Sequence, residues 1–138
     1  MKHITPIPVR FRDLDSLGHV NNAVFVTYVE MGRIDYFNEA IGKRNNWHEF
    51  GTLIAHTSID YITPIFLHDE VYCHVETTRM GTKSFDVYFE LFKNVDGKDI
   101  ICAKGKNVLV CYDNVKQQTA NIPDDWKVKV EEYEGKKY

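Results

Sequence analysis

The 138-residue chain contains no Cys-x-x-Cys pair and only three cysteines, Cys73, Cys102 and Cys111. All three sit in apolar, strand-like runs. They read as small buried hydrophobes of a reducing compartment rather than as a disulfide frame, a metal centre or a nucleophile. No stretch reaches the roughly 18 consecutive apolar residues that a membrane helix needs. The opening Met-Lys-His-Ile-Thr-Pro-Ile-Pro lacks the apolar centre of a secretory signal. A soluble, cytoplasmic protein with no membrane contact is expected. Basic excess is missing too: the formal net charge is −3, which gives no general electrostatic case for a nucleic-acid partner. The histidines show no His-x-x-x-His spacing, and there is no Gly-rich phosphate loop. Neither a metal nor a cofactor is expected. Repeats, low-complexity tracts and linkers are absent as well.

What the chain does have is a composition for folding. Apolar residues make up 43% and aromatics 13%, which fits a globular protein and not a disordered one. The length fits one domain, 1–138, able to bury a core without disulfides. Residues 4–12 read as a first strand, in which Ile7, Val9 and Phe11 alternate with polar or proline positions. Pro6 and Pro8 mark it as an edge or a strand start.

A helix is expected over about 22–41. Phe25, Val29, Gly32, Tyr36 and Ala40 form one apolar stripe, and further apolar residues around the circumference ask for burial on more than one side. At 1.5 Å per residue it is roughly 30 Å long, enough to cross a small domain. Asn21 or Asn22 suits the N-cap and Gly42 the stop. A polar connection follows at 43–51. The period then changes to two over 52–62, 70–79, 84–93 and 99–113. Met80-Gly81-Thr82-Lys83 and Asp96-Gly97 read as hairpin turns, so these strands form an antiparallel sheet. The charged tail after Pro123 suits a short helix or a last strand. The fold class is α+β, with the sheet curled around the helix. Apolar surface left over on the helix and on both strand faces points to a dimer.

The stretch that organises this plan is Asp13-Leu14-Asp15-Ser16-Leu17-Gly18-His19-Val20-Asn21-Asn22, which runs straight into the helix. A carboxylate just before a helix start lies near unpaired backbone N–H groups and the positive end of the helix dipole. That pairing can polarise a carbonyl and attack it, or activate water against it. Gly18 permits a backbone conformation that other residues avoid. Glu30 and Arg33 are spaced to pair on the helix surface and read as scaffold or interface. His56 and His74 read as pocket or surface residues.

The run from Val9 to Arg33 resembles the D-x-D-x-x-G-H-V-N-N-x-x-Y-x-x-Y-x-E-x-x-R motif of hotdog-fold thioesterases of the 4-hydroxybenzoyl-CoA thioesterase type. Asp60-Tyr61-Ile62-Thr63-Pro64 with Asp69-Glu70 is similar to a second motif of that family. Phe25 stands where tyrosine is common, His68 where glycine is common and Leu14 where a small or polar residue is frequent. Phe25 thereby deletes a hydroxyl.

The resemblance implies a hotdog fold and hydrolysis of an acyl-CoA thioester by a homodimer or a homotetramer built as a dimer of dimers, with active sites at a subunit interface. It makes Asp15 the nucleophile or the general base, the two roles being left open. It makes the Asn22 N–H the oxyanion donor, and Gly18 the residue that aims Asp15. His19, Asn21 and Phe25 are implied as substrate contacts, and Arg79, Lys83 and Ser84 at the 80–83 turn as contacts to the CoA phosphates. Asp15 has a purely structural alternative, capping an amide or pairing with Arg10 or Arg12; Asp13 is read as structural. Rival functions are a non-catalytic acyl or CoA-binding module, a thioesterase acting on acyl carrier protein, and a carrier-linked dehydratase, against which the Asp-x-Asp-x-x-Gly pattern argues.

Overall fold

The computed structural model describes residues 3–43 and 45–138; Met1, Lys2 and Arg44, the last within the polar connection, lie outside the described residues. Elements follow in the order β1 (Ile4–Ile7), α1 (Asn22–Phe37), β2 (Phe50–Tyr61), β3 (Glu70–Met80), β4 (Ser84–Val95), β5 (Lys98–Asp113), β6 (Gln118–Thr119) and α2 (Asp124–Glu134). The strands form one sheet in the order β1-β3-β4-β5-β2, with β6 added beside β5 and every pairing antiparallel. This is the curled sheet around a long helix that the periodicity calls for.

Burial follows the two periods. Along α1 and the turn that continues it, the whole stripe Phe25, Val29, Gly32, Tyr36 and Ala40 is buried. On β4, Phe85, Val87, Phe89 and Leu91 point inward while Asp86, Tyr88 and Glu90 stay partly exposed. Helix and sheet approach closely at Gly32, where a Cβ would lie 2.5 Å from Cys73 Sγ. The three thiols are free and buried, and burial pushes Cys102 up to about 11 and Cys73 and Cys111 up to about 12. They are therefore protonated near neutrality and poor nucleophiles.

The structure corrects several boundaries. The first strand ends at Ile7, not 12, because Pro8 has no N–H for a ladder and the chain then tightens into a 3₁₀ turn, Phe11–Asp13. The long helix extends as expected but widens at its end into a π turn, Asn38–Gly42, before Gly42 reverses at φ +120°. The tail is a helix, α2, closed by Gly135 at φ +72°. Its Trp126 packs on Trp47 and Phe50. Asp96 and Gly97 both have positive φ, as a tight two-residue hairpin requires.

Candidate active site

The loop before α1 is built by short-range bonds. Asp13 is buried (2% exposed) and accepts hydrogen bonds from the Tyr28 hydroxyl at 2.6 Å, the Arg10 backbone N–H at 3.0 Å and the Arg10 guanidinium at 3.0 Å. Burial alone pushes its pKa up, but these donors outweigh burial and hold Asp13 below the usual carboxylate range. The structural reading of Asp13 holds, and Arg10 pairs with it rather than with Asp15.

The chain then folds back on itself. Asp15 N–H donates to His19 C=O at 2.8 Å, Gly18 N–H donates to Asp15 C=O at 3.1 Å, and Leu14 and Val20 form a bridge. Gly18 adopts φ +84°, the left-handed conformation that favours glycine. Val20 N–H donates to Ile65 C=O at 2.8 Å, and Asn21 N–H to Asp13 C=O at 2.9 Å. These two bonds fix the loop against the strand-exit segment on one side and the Asp13 cluster on the other.

Asp15 Oδ1 accepts the Leu17 N–H at 2.9 Å, while Oδ2 has no partner among the described residues. At the helix start, Asn21 is the cap: its side chain takes the Ala23 N–H at 2.9 Å and its carbonyl takes the Val24 N–H at 2.8 Å. That leaves the Asn22 N–H as a first-turn donor with no acceptor among the described residues.

Asp15 and Asn22 line one open cleft of about 450 Å³, together with His19, Val20, Phe25, Tyr61, Ile62, Thr63 and Pro64. A cleft lined by a residue with an unpartnered carboxylate oxygen and by the first residue of a helix brings together the two kinds of group that act on the carbon and the oxygen of a bound carbonyl. His19 meets Phe66 edge-on at 5.2 Å, and Phe25 meets Tyr61 edge-on at 5.3 Å. The loop beyond β2 is held from below by Lys93. Its ammonium donates to Pro64 C=O and Asp69 Oδ2, each at 3.0 Å.

Of the residues singled out in the sequence, Asp15, His19, Asn22 and Phe25 come together at this cleft, while Gly18 and Asn21 shape the loop and the helix cap behind it. Arg79, Lys83 and Ser84 do not join them within one chain. Ser84 faces Val110, which faces Leu53, whereas the cleft lies at Tyr61. Between positions 53 and 61 a strand runs roughly 26 Å at about 3.3 Å per residue. There Arg79 pairs with Asp86 at 2.9 Å and donates to Ser84 at 3.1 Å.

Arg33 pairs with Glu30 at 3.9 Å as the spacing predicts, and it also donates to Asn107 Oδ1 at 3.0 Å, a partner the sequence did not announce. One side chain is placed differently from expectation. His74 is neither pocket nor surface, being 3% exposed with Nδ1 donating to His3 C=O at 3.0 Å. Tyr61 and Thr63 are cleft residues that the sequence reading did not assign. Their signal was the Asp60–Pro64 motif, taken only as support.

A second groove, about 370 Å³, runs along α1 past Glu30, Arg33, Ile34, Phe37 and Trp47. Its carboxylate, Glu30, stands 3.9 Å from the Arg33 guanidinium, and no helix N-terminus among the described residues lines it. Among the described residues no three His, Cys, Asp or Glu side chains converge as a metal ion requires. No helix among them is long and apolar enough to cross a membrane.

The family model of the thioesterase-like superfamily matches residues 9–130. The fold superposes with TM-score 0.83 on a crystal structure of a thioesterase from Thermus thermophilus complexed with coenzyme A and Zn, at 35% identity over 98% of this chain and 96% of that one. An uncharacterised protein of Bacillus subtilis (strain 168), YsmA, is 30% identical over 75% of this chain and 68% of its own. The chloroplastic acyl-acyl carrier protein thioesterase ATL3 of Arabidopsis thaliana is 30% identical over 92% of this chain and 66% of its own. The chain belongs to the thioesterase-like superfamily, and with that membership it is a thioester hydrolase of hotdog fold.

Proposed function

We propose that the protein hydrolyses acyl-CoA thioesters, converting thioester and water to a carboxylic acid and free CoA thiol, with Asp15 and the Asn22 N–H as the reacting pair. The observation that supports this reading is the shared cleft: it is lined by Asp15, whose Oδ2 has no partner among the described residues, and by Asn22, whose N–H has no acceptor among them. The Asn22 N–H takes the carbonyl oxygen as charge develops there, helped by the positive end of α1. Asp15 either attacks the carbonyl carbon and is released by water, or removes a proton from the attacking water. Gly18 and Asn21 set the loop and the cap that aim these groups, and His19 and Phe25 meet the acyl portion. A non-catalytic binder would need neither the free carboxylate oxygen nor the free donor. The CoA-bound thioesterase among the similar structures supports CoA as carrier. The resemblance to an acyl carrier protein thioesterase supports the carrier protein as a second candidate.

The working form in this proposal is a homodimer or a homotetramer. Strand β2 ends the sheet with no strand on its outer edge among the described residues, and it exposes Leu53 (50%) and Ile54 (43%), while α1 exposes Val26 and Ile34. A long apolar edge strand left open invites pairing with another strand. Arg79, Lys83 and Ser84 reach a cleft only if a second copy carries its own 80–83 turn there. The three unpaired, buried thiols fit a reducing, cytoplasmic setting. Following thiol release from short, long, branched and aromatic acyl-CoAs and from acyl carrier protein tests the proposal. Catalysed release from at least one acyl-CoA is expected. Release from carrier protein alone transfers the reading to that substrate, and release from none overturns it.

A further inference from the structure

We propose that Tyr61 is a positioning residue for the oxyanion donor, and this inference rests on the hydrolase reading above. Tyr61 is the last residue of β2, and its hydroxyl donates to the Asn22 carbonyl at 3.0 Å across 39 positions of sequence. Asn22 is the first residue of α1, and its own N–H is the free donor of the cleft. A backbone residue held only from its C-terminal side can rock about its φ and ψ, and the outermost turn of a helix is where fraying begins. Asn22 is held from both sides: before it, the Asn21 N–H donates to Asp13 C=O and the Asn21 C=O accepts from the Val24 N–H, and after it the Tyr61 hydroxyl ties its carbonyl to the sheet.

The Tyr61 ring is fixed in turn by its edge-on contact with buried Phe25, at 5.3 Å and 61°. Tyr61 is nevertheless 46% exposed and lines the cleft beside Asp15. An exposed tyrosine whose hydroxyl turns back to a helix terminus, instead of to solvent, is a costly ordering of a side chain for a structural bond alone. The geometry gives it a purpose: the bond ties the Asn22–Ala23 peptide to the sheet and so limits rotation about Asn22, whose N–H lies in the peptide just before. Removing an oxyanion donor outright costs about 10²–10³ in rate, and loosening its aim costs a fraction of that.

The test compares wild type, Tyr61→Phe and Asp15→Asn on the best acyl thioester found by the thiol-release panel. Tyr61→Phe keeps the ring and its contact with Phe25 and removes only the bond to Asn22. The expected result is kcat lowered about tenfold with KM within about twofold, as for an interaction made only in the transition state. The thermal midpoint should stay within about 2 °C, since loss of one exposed hydrogen bond is worth little. The Asn22 amide resonance in ¹⁵N-asparagine-labelled protein should move in Tyr61→Phe without substrate. Unchanged kcat, or a fall in kcat accompanied by a large loss of midpoint, overturns the inference. If Tyr61→Phe is fully active and Asp15→Asn is dead, only the positioning role fails. If Asp15→Asn is as active as wild type, the parent assignment of the reacting pair fails with it.

Discussion

Replacing Tyr28 by Phe removes one hydroxyl and leaves its ring in place in the core. That hydroxyl donates at 2.6 Å to Asp13 Oδ2, a carboxylate 2% exposed and otherwise held by Arg10. A hydrogen bond to a charged group contributes about 1.5–3 kcal/mol, and its loss leaves part of a buried carboxylate unsatisfied. For a chain of this length each kcal/mol moves the thermal midpoint by roughly 3–5 °C, so Tyr28→Phe should lower it by roughly 5–15 °C. The effect should also depend on pH. The folded-state pKa of Asp13 lies below its ordinary 3.8, so the ionised form contributes stability that is complete above the unfolded value and is lost as pH falls through the folded one. Removing the Tyr28 donor raises the folded value toward the ordinary one. The gap between wild type and variant should therefore be widest near pH 7 and shrink below about pH 4. Chemical denaturation of both proteins from pH 7 to pH 3 measures it. A gap under about 0.5 kcal/mol at pH 7, or one that grows on acidification, would refute the reasoning, since surface changes alone reach that size.

Gly32→Ala should destabilise, although alanine is the better helix former by about 1 kcal/mol. The new Cβ would meet Cys73 Sγ at 2.5 Å and Cys73 Cβ at 2.8 Å, and such overpacking costs typically about 1–3 kcal/mol; a raised midpoint in a melt would contradict the close approach. Sedimentation of the wild type at micromolar concentration should show a dimer or tetramer. Glutamate at Leu53, on the exposed face of the free edge strand, should shift that equilibrium toward monomer, and a monomeric wild type counts against the proposed assembly.

The elements most legible in the sequence are those with an unbroken period. The stripe from Phe25 to Ala40 repeats every three or four residues, and it faces the core along its length. The alternation in β3, β4 and β5 gave strand limits within two residues. Local chemistry was readable too: Gly18 is left-handed, and Asn21 caps α1. What escaped depends on partners distant in sequence. Nothing near Arg33 announces Asn107, and nothing near His74 announces the His3 carbonyl. Tyr61 stood in a recognised motif, but its bond to Asn22 exists only once β2 has been laid beside the helix start. The 80–83 turn shows the same limit, because register alone reveals that one chain keeps it far from the cleft.

The most direct measurement is the rate of free CoA release by wild type and by Asp15→Asn on the same acyl-CoA, with circular dichroism of both. Asparagine keeps the shape and the Leu17 contact but supplies neither a nucleophilic carboxylate nor a base. The account predicts a fall of at least about 10²-fold in kcat/KM with an unchanged spectrum. Equal rates from two equally folded proteins would contradict it.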